Sequence, residues 1–314
     1  MAEALQLSAV VPEQLMGSRL DFAAAELFPQ YSRSRLQGWI KSAALTVDGQ
    51  PGKPKDKVLG GETLDLKAEL EEQGDWEAEA MDLDVVYEDE QILVINKPAG
   101  LVVHPAAGNR SGTLLNALLH HAGELINVPR AGIVHRLDKD TTGLMVVART
   151  VEAHANLVEQ LQARTVSREY EAVVQGVMTG GGKVNAALGR HPRQRQKMAV
   201  LESGGKEAIT HYRLVKRFAN HTHIRLKLET GRTHQIRVHM AHIGYPLVGD
   251  ATYGGRFRIP RQASAELLEV LKHFPRQALH AAQLGLDHPG SGDYMQWQAD
   301  LPADMQRLLR VLGE

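Results

Sequence analysis

GIVHRLDKDTTGLMVVAR, residues 132–149, sets a dense cluster of charge between two apolar runs. Gly132 to Val134 and Leu144 to Val147 have the branched, apolar character of buried strands, while Asp140, Thr141, Thr142 and Gly143 supply turn chemistry between them. The stretch predicts two strands joined by a charged loop. That loop carries His135, Arg136 and Lys139 as cations or potential cations, and Asp138 and Asp140 as carboxylates. Charged turns are common on protein surfaces, but loops held by a rigid scaffold are also where chemistry concentrates.

Outward from this stretch, helices and strands alternate irregularly. Leu114, Leu115, Leu118 and Leu119 predict a helix over Thr113 to His121, and Thr150 caps a second one running to Ala163, with Ala153, Leu157, Val158 and Leu161 on one face. Asp84 to Tyr87, Ile92 to Ile95, Leu101 to Val103, Tyr170 to Val174, Ala208 to Val215 and His223 to Leu228 read as strands. Thr233 to Ile243 reads as a helix stopped by Gly244, and Ser264 to Leu271 and Asp300 to Leu312 as closing helices, the last capped by Asp300. Regular βαβ alternation is missing, so the expected class is α+β, with a mixed, largely antiparallel sheet and flanking helices.

Toward the N terminus the pattern changes. Met1 to Met16 carries no capped periodicity and is expected to be loosely held. Leu20, Ala23, Ala24, Leu27 and Phe28 then repeat at helical spacing up to Pro29; Ser32 can cap a second helix bearing Leu36, Trp39 and Ile40; Leu45 to Val47 and Glu62 to Leu66 are short strands. The expected domains are a small α+β unit over 17–75, an acidic linker over 76–91, and a large domain over 92–314.

At 314 residues with 43% hydrophobic side chains the chain can bury two cores. It contains no cysteine, which excludes disulfides, thiolate metal sites and cysteine nucleophiles and suits a reducing, cytoplasmic setting. No stretch approaches the ~20 apolar residues of a membrane span. The net charge of -1 hides an uneven distribution: residues 60–91 hold one Lys against 13 acids, whereas residues 92–314 hold 28 Lys or Arg against 18 acids. Two basic regions flanking an acidic connector suit a protein that grips a polyanion with two bodies. The basic loop from Arg190 to Lys197 and the residues Lys97 and His104 are candidate phosphate contacts, though buried, hydrogen-bonded roles fit the latter two equally well.

His135, Arg136, Leu137 and Asp138 followed by Thr141, Thr142 and Gly143, together with NKPAGLVVHP from Asn96 to Pro105 and TGRTHQIRVHMA from Thr230 to Ala241, resemble the motifs of the pseudouridine synthases that modify large-subunit ribosomal RNA, the D type above all. The resemblance covers nearly the whole chain. Gly17 to Leu66 is similar to the small S4-type RNA-binding domain, which implies that Arg19, Arg33, Arg35, Lys41 and Lys57 face phosphates. The activity implied is isomerisation of uridine, which needs neither redox change nor energy input and therefore no cofactor. By the motif match, Asp138 is the catalytic carboxylate and Tyr170 stacks on the base or accepts the C5 proton. Arg232 pairs with Asp138, and Arg136 enters the stack when the base is flipped out; Leu137 and Ile236 wall the pocket. Whether Asp138 attacks C1′, attacks the ring or removes a sugar proton is open, and Asp140 is the rival carboxylate, better suited to a turn. The implied target is an unpaired uridine, in the helix 69 loop by resemblance, and a monomer suffices.

Two other readings compete. His234, His239 and His242 with Asp138 and Asp140 could furnish a metal-dependent phosphodiesterase, although spacings of five and three do not share one helical face. A non-catalytic RNA-binding or ribosome-assembly protein would use the central loop only to grip phosphate. No Walker or GxGxxG fingerprint supports nucleotide use.

Overall fold

A computed structural model describes every residue except 1–2, 30, 32, 71–75, 106–108, 110, 195, 257–258 and 261–262; the expected cap Ser32 lies outside the described residues. The chain divides into Met1–Trp76 and Glu77–Glu314.

In the first unit, Glu3–Val10 forms strand β1, Leu20–Leu27 helix α1, Arg33–Lys41 helix α2, Leu45–Val47 β2, Gln50–Pro51 β3 and Thr63–Leu70 β4. The sheet order is β1-β4-β2-β3. Strand β1 corrects the expectation of a loose terminus, since it pairs antiparallel with β4 from Glu3 opposite Leu70 to Val10 opposite Thr63. Its Leu5, Leu7 and Ala9 alternate at the period of two that a half-buried strand requires, and pack on the core of Leu20, Ala23, Ala24, Leu36, Ile40, Leu64 and Leu66.

The second unit begins with Val85–Glu88 (β5) and Ile92–Lys97 (β6), followed by Leu114–His121 (α3), Thr142–Ala148 (β7), Val151–Ala163 (α4) and Ser167–Gln175 (β8). Gly182–Asn185 (β9), Leu188–Arg190 (β10), Met198–Val200 (β11), Ile209–Arg217 (β12) and His221–Leu228 (β13) lead to Gln235–His242 (α5) and Ala265–Lys272 (α6). Leu279–Asp287 (β14), Tyr294–Gln298 (β15) and Ala303–Leu312 (α7) close the chain. The large sheet runs β5-β6-β7-β14-β8-β13-β12-β9, with β15 paired to β14. Among the described strands of this sheet β7 and β14 pair in parallel and the remaining neighbours antiparallel, as the α+β reading expects.

Strand β7 is buried along its whole length. Ala153 and Leu157 of α4 cover Ile92, Val94, Leu144 and Val146, and Thr150 caps that helix by accepting from Ala153 N. Helices α6 and α7 supply Leu271, Met305 and Leu308 to a second cluster around Val173 and Val248. Helix α7 starts at Ala303 with Pro302, rather than Asp300, at the cap position.

Residues 77–91 are not a free connector. Glu79 accepts from Gly112 N through its carboxylate, Asn116 Nδ2 donates to Glu77 O at 2.8 Å, and β5 is an edge strand on β6. Backbone hydrogen bonding to α3 and β6 thus outweighs the like-charge repulsion expected to keep this stretch extended. Among the described residues no helix is long and apolar enough to cross a membrane.

Candidate active site

The charged loop lies directly before β7 and is tied down from three sides. Thr141 N donates to Asp138 O at 3.0 Å, closing a turn. Lys97, at the end of β6 and 1% exposed, donates from Nζ to the carbonyls of Pro98, Leu101 and Lys139. Gln277 Nε2 holds Thr141 Oγ1 at 2.9 Å, and Arg276, anchored on Asp304 of α7, donates to Asp140 O. Burial pulls Lys97 down to about 8, against the opposing pull of Asp140 and Asp138. Lys97 is therefore a structural tie and not a surface phosphate contact. Gly143 lets β14 approach: its φ is +113°, and a Cβ there would sit 2.3 Å from Ala281 O.

Above the loop is a cavity of about 580 Å³, lined by Arg136, Leu137, Asp138, Tyr170, Arg232 and Ile236 among others. Leu137 and Ile236 are each 4% exposed and form apolar wall. Arg136 is exposed, and Asp140, the rival carboxylate, does not line the cavity. His104 lines it, next to Pro105.

The ion pair on Asp138 differs from expectation. Arg232 is exposed, and its Nε donates to Glu207 O at 3.0 Å. The partner of Asp138 is Arg237, whose Nη1 lies 3.0 Å from Asp138 Oδ2. The reason is local geometry: Arg232 precedes α5 and its side chain is taken up by Glu207 O, whereas Arg237 sits inside α5, paired with the Asp250 carboxylate. Arg237 Nε and Nη2 reach Asp250 Oδ2 and Oδ1 at 2.7 and 2.9 Å, a two-pronged pairing. Asp250 also accepts from Thr252 N and Tyr253 N. Burial disfavours the charge on Arg237, but the two carboxylates more than offset it and raise its pKa; burial likewise opposes the Asp250 charge, and Arg237 more than offsets that, lowering it. Arg237 is thus a fixed cation, and it holds one oxygen of Asp138 while the other, Oδ1, has His234 Nε2 3.8 Å away, beyond hydrogen-bond reach.

His234 is positioned by Tyr253. It sits in the left-handed region at φ 56°, with Nδ1 2.8 Å from the Tyr253 hydroxyl. That hydroxyl accepts from Met198 N at 2.9 Å and can donate its own proton to Nδ1, which leaves Nε2–H toward Asp138. The Tyr253 ring also lies under Arg237, 5.0 Å from centroid to guanidinium carbon. Burial lowers His234, so it is neutral near pH 7. His135 is neutral as well: burial, then the nearby Arg168, pull it down to about 3, and its Nε2 accepts from Val146 N.

The imidazoles proposed as metal ligands do not converge. His239 is 0% exposed and bonded to Thr210 Oγ1 and Ala186 O, and among the described residues no three His, Asp or Glu side chains are grouped to hold a metal ion.

In the first unit, Asp21 is the centre of the basic face. Its side chain is fully buried, accepting from Arg19 through two bonds of 3.0 Å, from Arg33 Nη2 at 2.8 Å and from Gln37. Burial opposes the Asp21 charge, yet Arg19, Arg33 and Gln37 together hold its carboxyl well below the usual range. Arg19 and Arg33 remain about half exposed, at 48% and 47%. Arg35 lies over the Trp39 ring at 5.1 Å, Lys57 Nζ donates to Gly17 O, and Lys41 is exposed at the end of α2.

Comparison with known proteins identifies the family. Residues 91–242 match the family described as RNA pseudouridylate synthase. A Pseudomonas aeruginosa protein named ribosomal large subunit pseudouridine synthase D is 64% identical over 314 residues, all of this chain and 98% of its own length. The Yersinia pestis protein of the same name is 58% identical over 313 residues, 99% of this chain and 96% of its own. The solved structure of human RNA pseudouridylate synthase domain containing 4 superposes with a TM-score of 0.56 at 26% identity, covering 73% of this chain and 92% of that one. The chain therefore belongs to the RNA pseudouridylate synthase family.

Proposed function

We propose that this protein isomerises uridines to pseudouridine in large-subunit ribosomal RNA, in the helix 69 loop, with Asp138 as the reacting carboxylate. The observation that carries the reading is the half-held state of that carboxylate: Oδ2 is fixed by Arg237, Oδ1 accepts no hydrogen bond among the described residues, and the side chain lines the cavity it shares with Tyr170. An aspartate with one oxygen locked keeps its orientation, and the free oxygen can meet sugar or ring without reorganisation.

The bond from C1′ to N1 breaks, the base rotates, C1′ joins C5, and the proton lost from C5 is balanced by one gained at N1. Tyr170 is 6% exposed, and burial raises its hydroxyl pKa, so it meets the base as a neutral ring suited to stacking. Arg136 stands at the exposed side, where it can replace the flipped base in its stack. Arg19 and Arg33, held by Asp21, together with Lys41, offer phosphates a prearranged basic face. No cofactor is needed for this chemistry, and a cytoplasmic monomer acting on ribosomal RNA or its precursor particle satisfies the reading.

The test is a map of pseudouridines in large-subunit RNA from cells lacking the protein. The expected result is their loss from the helix 69 loop, restored by the wild-type chain and not by Asp138→Asn. An unchanged map overturns the reading.

A further inference from the structure

Three arginines among the described residues are more than nine-tenths buried: Arg168, Arg237 and Arg276. Two of them are satisfied, Arg237 by Asp250 and Asp138, and Arg276 by Asp304 and backbone carbonyls. Arg168 is not. Its Nε is buried without a hydrogen-bond partner, and no carboxylate pairs with its guanidinium among the described residues. A buried cation without a counter-charge is a costly feature in a folded protein.

Its position suggests what the missing partner is. Arg168 precedes Tyr170 by two residues on β8, so the two side chains share a face of the strand, and both line the cavity that holds Asp138. Gly231, also lining that cavity, gives the guanidinium its space: a Cβ there would lie 2.8 Å from Arg168 Nη1. Burial draws Arg168 below its usual pKa, and only the Tyr170 hydroxyl is close enough to pull the other way. Uracil and ribose are neutral, so the anion that an RNA substrate brings into this cavity is a phosphodiester, and a planar guanidinium fork is well matched to its two oxygens.

We propose that Arg168 binds a backbone phosphate next to the extruded uridine, anchoring that nucleotide while its base lies on Tyr170. The inference rests on RNA being the substrate. It assigns Arg168 a binding role distinct from the pairing of Arg237 with Asp138.

The test is a cycle between protein and RNA. Synthetic RNA hairpins carrying the target uridine are made with a neutral methylphosphonate at the 5′ or the 3′ phosphate, and are compared with unmodified RNA on wild-type protein, Arg168→Gln and Arg168→Lys. The expected result is that Arg168→Gln and one of the two methylphosphonates each weaken binding by about 10- to 100-fold, that combining them costs no more than either alone, and that Arg168→Lys recovers part of the loss. Without RNA, Arg168→Gln should melt at or above the wild-type temperature, since it removes an uncompensated buried charge. Losses that multiply at both phosphates overturn the proposal, as does a variant that melts well below wild type. So does unchanged binding with an altered pH profile of turnover, which would make Arg168 a partner of the Tyr170 hydroxyl. If the wild-type protein binds the hairpin with this phosphate dependence but isomerises nothing, the phosphate site stands and the synthase reading fails.

Discussion

Asp21 and Asp138 are both gripped by arginine, but the two arrangements are inverted. At Asp21 the carboxylate is fully buried and the arginines Arg19 and Arg33 are half exposed. At Asp138 the arginine is buried, at 8% side-chain exposure, and the carboxylate, at 17%, faces the cavity. The first arrangement uses its anion to hold two half-exposed cations in place, for phosphates on the proposed function. The second uses its cation to hold an anion in place, for chemistry on the proposed function. On the proposed function, the same pair of residue types would serve recognition or reaction according to which partner the fold leaves uncovered.

The strongest way to break the comparison is Arg237→Met. It leaves Asp250 buried without its cation and Asp138 without its anchor, and a buried pair broken on one side costs about 3–5 kcal/mol. Thermal unfolding should show a large drop for residues 77–314, with isomerisation lost. The same measurements on Arg232→Met should show a much smaller drop, because Arg232 is exposed and its side chain bonds only a backbone carbonyl.

Asp250→Asn is gentler. The amide keeps the shape and can still accept from Thr252 N and Tyr253 N, but gives up the charge facing Arg237. Losing one charge-assisted hydrogen bond of about 2 kcal/mol should lower the single-turnover rate by roughly 30-fold, with RNA affinity little changed. An unchanged rate would mean that Asp138 alone orients Arg237.

Asp21→Asn probes the opposite arrangement. It should lower the melting temperature of the first unit by roughly 5–10 °C and weaken RNA binding, while RNA supplied at saturation is still isomerised near the wild-type rate.

The smallest effect is in pH. The folded-state pKa of Asp21 lies below its unfolded value. Its contribution to stability is therefore fully present above the ordinary carboxylate pKa of ~3.9, and is lost as pH falls below it. Acid titration of the first unit by circular dichroism should show this slope in the wild type and a flatter one in Asp21→Asn.

Much of this arrangement was legible in the sequence, and the misses have physical causes. The loop before β7, the Thr150 cap, the stripe on α4 and the Gly244 stop after α5 follow from short-range patterns, in which neighbours in sequence are neighbours in space. Strand β14 was not legible. Its LHAAQLGLD is rich in residues that disfavour strands, and it exists because β7 and β8 hydrogen-bond it on both sides. Strand β1 carried the right alternation, but in a terminal position its pairing with β4 depends on a partner some sixty residues away.

The pairing on Asp138 shows the same limit. Arg232 and Arg237 occupy one motif, and nothing local separates them. The distinction comes from Asp250, 13 residues beyond Arg237, whose burial draws the guanidinium inward. A signal did exist: Arg237 falls inside the helix expected over Thr233 to Ile243, whereas Arg232 lies before it. Arg168 could not be singled out because its significance is a missing partner, and a sequence does not show what a side chain fails to touch.

The central claim is that Asp138 reacts through the oxygen Arg237 leaves free. Its most direct measurement is single-turnover isomerisation of a target-loop RNA by Asp138→Asn, with binding of the same RNA measured in parallel. The account predicts binding within a few-fold of wild type and a rate reduced by ~10⁴-fold or more. Turnover near the wild-type rate would contradict it.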